Sequence, residues 1–144
     1  MPRLTISLAF AFAVAFGLGT GNAVAAAWNT LLAPAELSTL IDAGEVTVVD
    51  IRVRDLYAAG HIRGSLNAPY QSWRGPEENP GARLSDARLT ERLQSLGLTP
   101  ENAVAITYRG ANTTDFGAVA RVYWTLKSAG LTRIAILNGD ITAR

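Results

Sequence analysis

The chain has 144 residues, with 13 basic side chains, 12 acidic ones, one histidine and no cysteine. Such a length suits one domain, and the balanced charge gives no basic stripe for nucleic acid or an anionic membrane surface. Without a thiol there can be no disulfide and no cysteine nucleophile, and a lone histidine leaves no recognisable metal-ligand set.

Residues Met1–Ala27 have the form of a secretory leader. Arg3 gives a positive start, Leu4–Leu18 is an apolar run, and Ala23-Val24-Ala25 has the small-x-small spacing of a cleavage site. The run is shorter than the roughly 20 apolar residues of a membrane span. We therefore expect a signal peptide at residues 1–25 and one domain over residues 28–144. The expected location is periplasmic or secreted, with no stable membrane insertion after cleavage. Losing Arg3 with the leader leaves 12 basic and 12 acidic residues.

The mature part alternates helices and strands. Pro34–Ala43 is predicted helical, with Leu37, Leu40 and Ile41 on one face, and Gly44 ends it. Val46–Val49 is β-branched throughout, as in a strand buried on both faces. A short helix over Val53–Ala59 follows, then a tight turn between Gly60 and Gly64. Leu66–Pro69 can form a brief extended piece. Gln71–Arg83, rich in proline, glycine and charge, is expected to be a long surface loop.

Ser85 is placed to cap a helix over Asp86–Leu96 with Leu89, Leu93 and Leu96 as its apolar stripe, and Gly97 closes it. Ala103–Thr107 is a second buried strand, followed by the polar loop Tyr108–Thr114. Thr114 or Asp115 is expected to cap the next helix, Phe116–Ala129, with Phe116, Val119, Ala120, Tyr123 and Leu126 facing the core. Gly130 ends it. Arg133–Leu137 is a third strand, and Asn138-Gly139-Asp140 is a turn. This alternation predicts an α/β fold with a parallel sheet. Ligands of such sheets bind beyond the carboxyl ends of the strands, which directs attention to the loop after Thr107. A helix N-terminus there offers free N–H groups and a positive dipole end.

Several ordered segments carry a family resemblance. Val46–Trp73 contains Asp50-Ile51-Arg52, Tyr57 and Gly60-His61-Ile62-Arg63-Gly64, and it resembles the first half of a rhodanese (sulfurtransferase) domain. Val104–Tyr108 and Gly117–Lys127 resemble the active-site strand and the helix after its loop. Ile134–Gly139 resembles the next strand. The resemblance implies a three-layer domain whose central, mostly parallel sheet is flanked by helices. Because such domains continue with another helix, it also implies a C-terminal truncation here: a fragment or an unusually short member.

Active members of the family carry a cysteine directly after the strand, and the matching position here is Arg109. Arginine cannot act as a nucleophile, so this chain alone is expected to be inactive and to use no cofactor. The long Tyr70–Arg83 connection is similar to the cysteine-lacking first domain of tandem thiosulfate or 3-mercaptopyruvate sulfurtransferases. A second rhodanese domain downstream is then the expected partner. The vestigial loop Arg109, Gly110, Ala111, Asn112, Thr113 and Thr114 is the candidate site for a small sulfur anion. The alternative is a stand-alone binding module for a small anion or an envelope protein. A third reading is an enzyme using the Thr113 or Thr114 hydroxyl.

Other residues fit structural roles. His61 lacks partners for catalysis or metal binding and is expected to tie down its turn, with Gly60 and Gly64 bracketing it. Asp50 and Arg52 suit an ion pair that fixes the following segment. Asp115 would compete with an anion for the helix N–H groups. The adjacent Tyr123 and Trp124 must point to different faces, one of them into the core. Trp73 and Arg74 are expected to be exposed and to serve an interface.

Overall fold

A computed structural model describes residues 28–139 and residue 141; the leader expected at residues 1–25 lies outside them. Five strands form one wholly parallel sheet: β1 (Leu31–Leu32), β2 (Thr47–Asp50), β3 (Leu66–Asn67), β4 (Ala103–Thr107) and β5 (Arg133–Leu137), in the order β1-β5-β4-β2-β3. Four α-helices accompany them: α1 (Pro34–Asp42), α2 (Arg54–Ala59), α3 (Asp86–Ser95) and α4 (Thr113–Ser128). The expected α/β architecture, a parallel sheet flanked by helices, is what the chain adopts.

The continuous apolar runs of β2, β4 and β5 have a simple cause. Side chains alternate between the two faces of a strand, and both faces here are covered. On one face Val49, Val104, Ile106 and Ile134 pack with Leu89 of α3 and with Val119, Val122 and Leu126 of α4. On the other, Val48, Ala105 and Ala135 pack with Leu37 of α1. A one-residue slip of β4 would exchange its two sets of side chains, so the register Val48↔Ala105 and Val49↔Ile106 is strongly specified.

Chain order decides where a site can form. From β2 the chain goes to β3 on one side, then returns to β4 on the other. The winding direction changes between β2 and β4, and the loops at their carboxyl ends part there. This is the crevice in which open α/β sheets place ligands.

Some expectations require correction. β1 was not foreseen, because two residues carry no periodicity. Backbone bonds hold it at the sheet edge, with Ile136 N–H donating to Thr30 O (2.7 Å) and Asn138 N–H to Leu32 O (2.8 Å). Tyr70–Trp73 is a 3-10 turn rather than the start of a loop. Trp73, expected at the surface, is fully buried, and its indole N–H donates to Ala68 O at 3.0 Å. Its polar sequence neighbours concealed a large core side chain whose one polar atom is satisfied.

α4 begins at Thr113 and is capped by neither Thr114 nor Asp115. Asn112 Oδ1 accepts from Asp115 N–H at 3.0 Å. Phe116, expected in the core stripe, is half exposed. The inward stripe is Val119, Val122 and Leu126, while Phe116 sits in the first turn and makes an edge contact with Tyr108 (centroids 6.4 Å apart, planes at 65°). Tyr123 and Trp124 do divide as expected: Tyr123 packs against the core and Trp124 is exposed.

Candidate functional site

Two segments meet at the crevice between β2 and β4. The first, Ile51–Gly64, is held by side chains. Asp50, with no exposed surface, ends β2. Its Oδ1 accepts from Arg52 backbone N–H at 2.9 Å, and its Oδ2 pairs with Arg52 Nη2 at 2.7 Å. Arg52 Nη2 also donates to Gly60 O at 2.7 Å, so one guanidinium joins the strand end to the far end of α2. Tyr57 Oη donates to Ser65 O at 2.5 Å. Across the same turn, the His61 ring stacks on Tyr57 (centroids 3.8 Å apart, planes at 13°) and its Nδ1 lies 2.9 Å from Tyr57 O. Gly64 completes the turn at φ +79°, a conformation that a side chain would strain. Asp50, Arg52, Tyr57, Gly60, His61 and Gly64 thus form one brace.

The second segment, the β4–α4 loop, is held by its own backbone. Tyr108 is buried and Arg109 is exposed. Gly110 turns the chain at φ +70°. Asp115 Oδ2 accepts from Ala111 N–H at 3.0 Å, one residue before the Asn112 cap, so the first turn of α4 is tied to the loop in both directions. The carboxylate thus accepts from a loop N–H before the cap rather than from the helix N–H groups, while its charge in the first turn offsets the dipole.

Between the segments lies an open cleft of about 220 Å³. Ile51, Arg52, Val53 and Leu56 line it on the β2–α2 side, and Tyr70 and Gln71 come from the 3-10 turn. Tyr108, Arg109, Thr114, Asp115 and Ala118 close the β4–α4 side. Of the loop residues chosen from sequence, Arg109 and Thr114 reach this cleft. Gly110, Ala111, Asn112 and Thr113 do not line it and serve the turn and the cap. The His61 turn lines a second groove with Gly60, Ile62 and Ile141, which shares Arg52 and Leu56 with the cleft.

Sequence reasoning missed Ile51, Val53, Leu56, Tyr70 and Gln71 as cleft residues. Ile51 carried a usable signal, since it directly follows a strand that ends at the crevice. Tyr70 and Gln71 carried none, because only the burial of Trp73 brings their turn there.

The cleft holds little that can react. Thr114 is the aliphatic hydroxyl that lines it, beside the phenols of Tyr70 and Tyr108; Asp115 accepts from Ala111 N–H, and the single histidine is stacked outside it. Covalent catalysis requires a nucleophile with a base in hydrogen-bond reach. No such pair stands here. What the cleft offers is apolar surface, two tyrosines and the exposed guanidinium of Arg109.

This geometry can be set beside known proteins. A sequence profile of the rhodanese-like domain matches residues 33–143. The chain belongs to the rhodanese-like family. The thiosulfate sulfurtransferase of Azotobacter vinelandii is 32% identical over 114 residues, which cover 78% of this chain and 41% of that protein. The chain thus spans about two-fifths of that relative's length. Among solved structures, the 3-mercaptopyruvate sulfurtransferase SseA of Escherichia coli superposes with a TM-score of 0.62 at 15% identity, covering 76% of this chain and 40% of that one. The human single-domain sulfurtransferase TSTD1 gives a TM-score of 0.54 at 18% identity, covering 78% and 91%. At such identities the structural matches show the fold alone. This rhodanese-like chain is related to sulfurtransferases and has no cysteine anywhere in its 144 residues.

Proposed function

We propose that this chain is the non-catalytic, supporting domain of an exported sulfurtransferase of the thiosulfate or 3-mercaptopyruvate type. One observation carries the reading: the chain keeps a rhodanese fold and its brace, yet it contains no cysteine. In this reading Arg109 stands where catalytic members of the family hold the sulfur-accepting thiol, and residues 1–25 direct export. A thiol at the entrance of a helix is activated by the dipole and nearby cations. Here the first turn of α4 carries the Asp115 carboxylate instead, whose negative charge offsets the dipole and suits a loop released from that chemistry. The match to about two-fifths of a thiosulfate sulfurtransferase supports a second domain in the working protein, a cysteine-bearing rhodanese unit in cis.

A second reading is a stand-alone module that binds a small sulfur anion or an envelope protein. The exposed Arg109 on an open cleft favours it. The two readings separate on one assay. Sulfur transfer from thiosulfate and from 3-mercaptopyruvate is measured for the whole natural gene product and for residues 26–144 alone. The first reading expects transfer by the whole product and none by the isolated chain. A whole product that has no cysteine and transfers no sulfur rejects it and leaves the binding module. Mass spectrometry of the exported fraction tests the leader, with Ala26 expected as the first residue.

A further inference from the structure

A larger cavity, about 430 Å³, adjoins the cleft across Gln71 and lies between the segment Gln71–Leu84 and α3. Its volume is within the range of small-molecule sites. Arg74, Arg88 and Arg92 line it, together with Glu77 and Glu91, leaving one positive charge in excess.

Three features set these arginines apart from solvated surface charge. None of the three is ion-paired, although Arg83 nearby pairs with Asp86 at 2.7 Å. Arg92 Nε is buried and has no hydrogen-bond partner, an arrangement that costs free energy unless something else accepts that proton. The helix also bears Arg88 at an unfavourable position. Arg88 is in the first turn of α3, where the positive dipole end disfavours a cation. Arg92, four residues on in the last turn, suits the dipole there, but the two like charges share one face. Local rules broken in this way tend to mark sites with a use.

The opposite wall is preformed. Arg121 of α4 donates through Nη2 to Gly81 O (2.8 Å) and Ala82 O (2.9 Å), clamping the segment to the domain. Gly75 fits closely beneath it: a Cβ there would lie 2.5 Å from Asn79 O and 2.8 Å from Ala82 O. The wall therefore keeps its shape without a ligand.

We propose that this cavity binds a small molecule through a tetrahedral oxyanion group, a phosphate or a sulfur oxoanion. Guanidinium groups match such anions with paired N–H donors. Glu77 and Glu91 favour a ligand that also carries hydroxyl or amino groups. The site adjoins the β2–β4 cleft, and its assignment does not depend on the function proposed above.

The buried Arg92 Nε–H gives a direct probe by ¹⁵N NMR. The mature chain is titrated with inorganic phosphate and, separately, with sulfate at constant ionic strength. Arg92 Nε–H and the backbone amides of Ser72 and Arg74 should shift together and saturate. Arg88→Gln should weaken binding by about tenfold, the loss of one charge-assisted hydrogen bond. Arg92→Lys, which keeps the charge and removes Nε–H, should weaken it as well. Arg63→Gln, on the exposed His61 turn, should change nothing. Saturation by phosphate alone identifies a phosphate ester as the ligand class, saturation by sulfate alone a sulfur oxoanion, and saturation by both the shared oxyanion. No saturable shift with either anion overturns the proposal, as does equal weakening by Arg63→Gln and Arg88→Gln.

Discussion

The two segments that flank the crevice are built by different means. After β2, side chains do the fixing: one buried arginine spans from Asp50 to Gly60, and Tyr57 and His61 close the turn. After β4, the backbone and a helix cap do it, and the one large charged side chain, Arg109, points to no fixed partner. The contrast shows that a family's most recognisable motif can belong to its brace. The Gly60–Gly64 turn identifies the scaffold because the scaffold depends on it, and it says nothing about what the neighbouring loop can do.

The comparison can be broken first at Asp50. Replacing Asp50 with alanine leaves the Arg52 charge buried and unpaired and also removes the acceptor for Arg52 N–H. The expected loss is about 3–5 kcal/mol, a large share of the roughly 5–15 kcal/mol that holds a domain of this size. Urea denaturation checks it; a loss below about 1 kcal/mol would mean the brace is not structural. The β4–α4 loop should be less sensitive. Asn112→Ala removes one cap bond and should cost about 1 kcal/mol, read as a lower denaturation midpoint with an unchanged slope. Arg109→Ala is the mildest: within about 0.5 kcal/mol of the parent. A larger loss there would show that Arg109 fixes the loop, and the two segments would then resemble each other.

Much of this was legible in the sequence, for physical reasons that differ by element. β2, β4 and β5 could be read because strands buried on both faces must be continuously apolar. α3 could be read because Ser85 and Gly97 mark its ends. The elements that escaped carry no local signal. β1 exists only because β5 offers it an edge, and the 3-10 turn exists because Trp73 finds a pocket beneath a polar stretch. Phe116 followed the helical period but sits too near the start of α4 to reach the core. In the site, the absence of a thiol could be read with certainty, since composition alone decides it. The walls of the cleft could not, because they come from three segments that only the fold brings together.

Without a thiol, the scaffold is expected to carry no sulfur-transfer chemistry of its own. The most direct test is a thiosulfate:cyanide assay of the purified mature chain over a wide range of protein concentration. Thiocyanate formation at the rate of the reagents alone is the predicted result. A rate that rises in proportion to the chain, and persists after a thiol-blocking reagent, would contradict it.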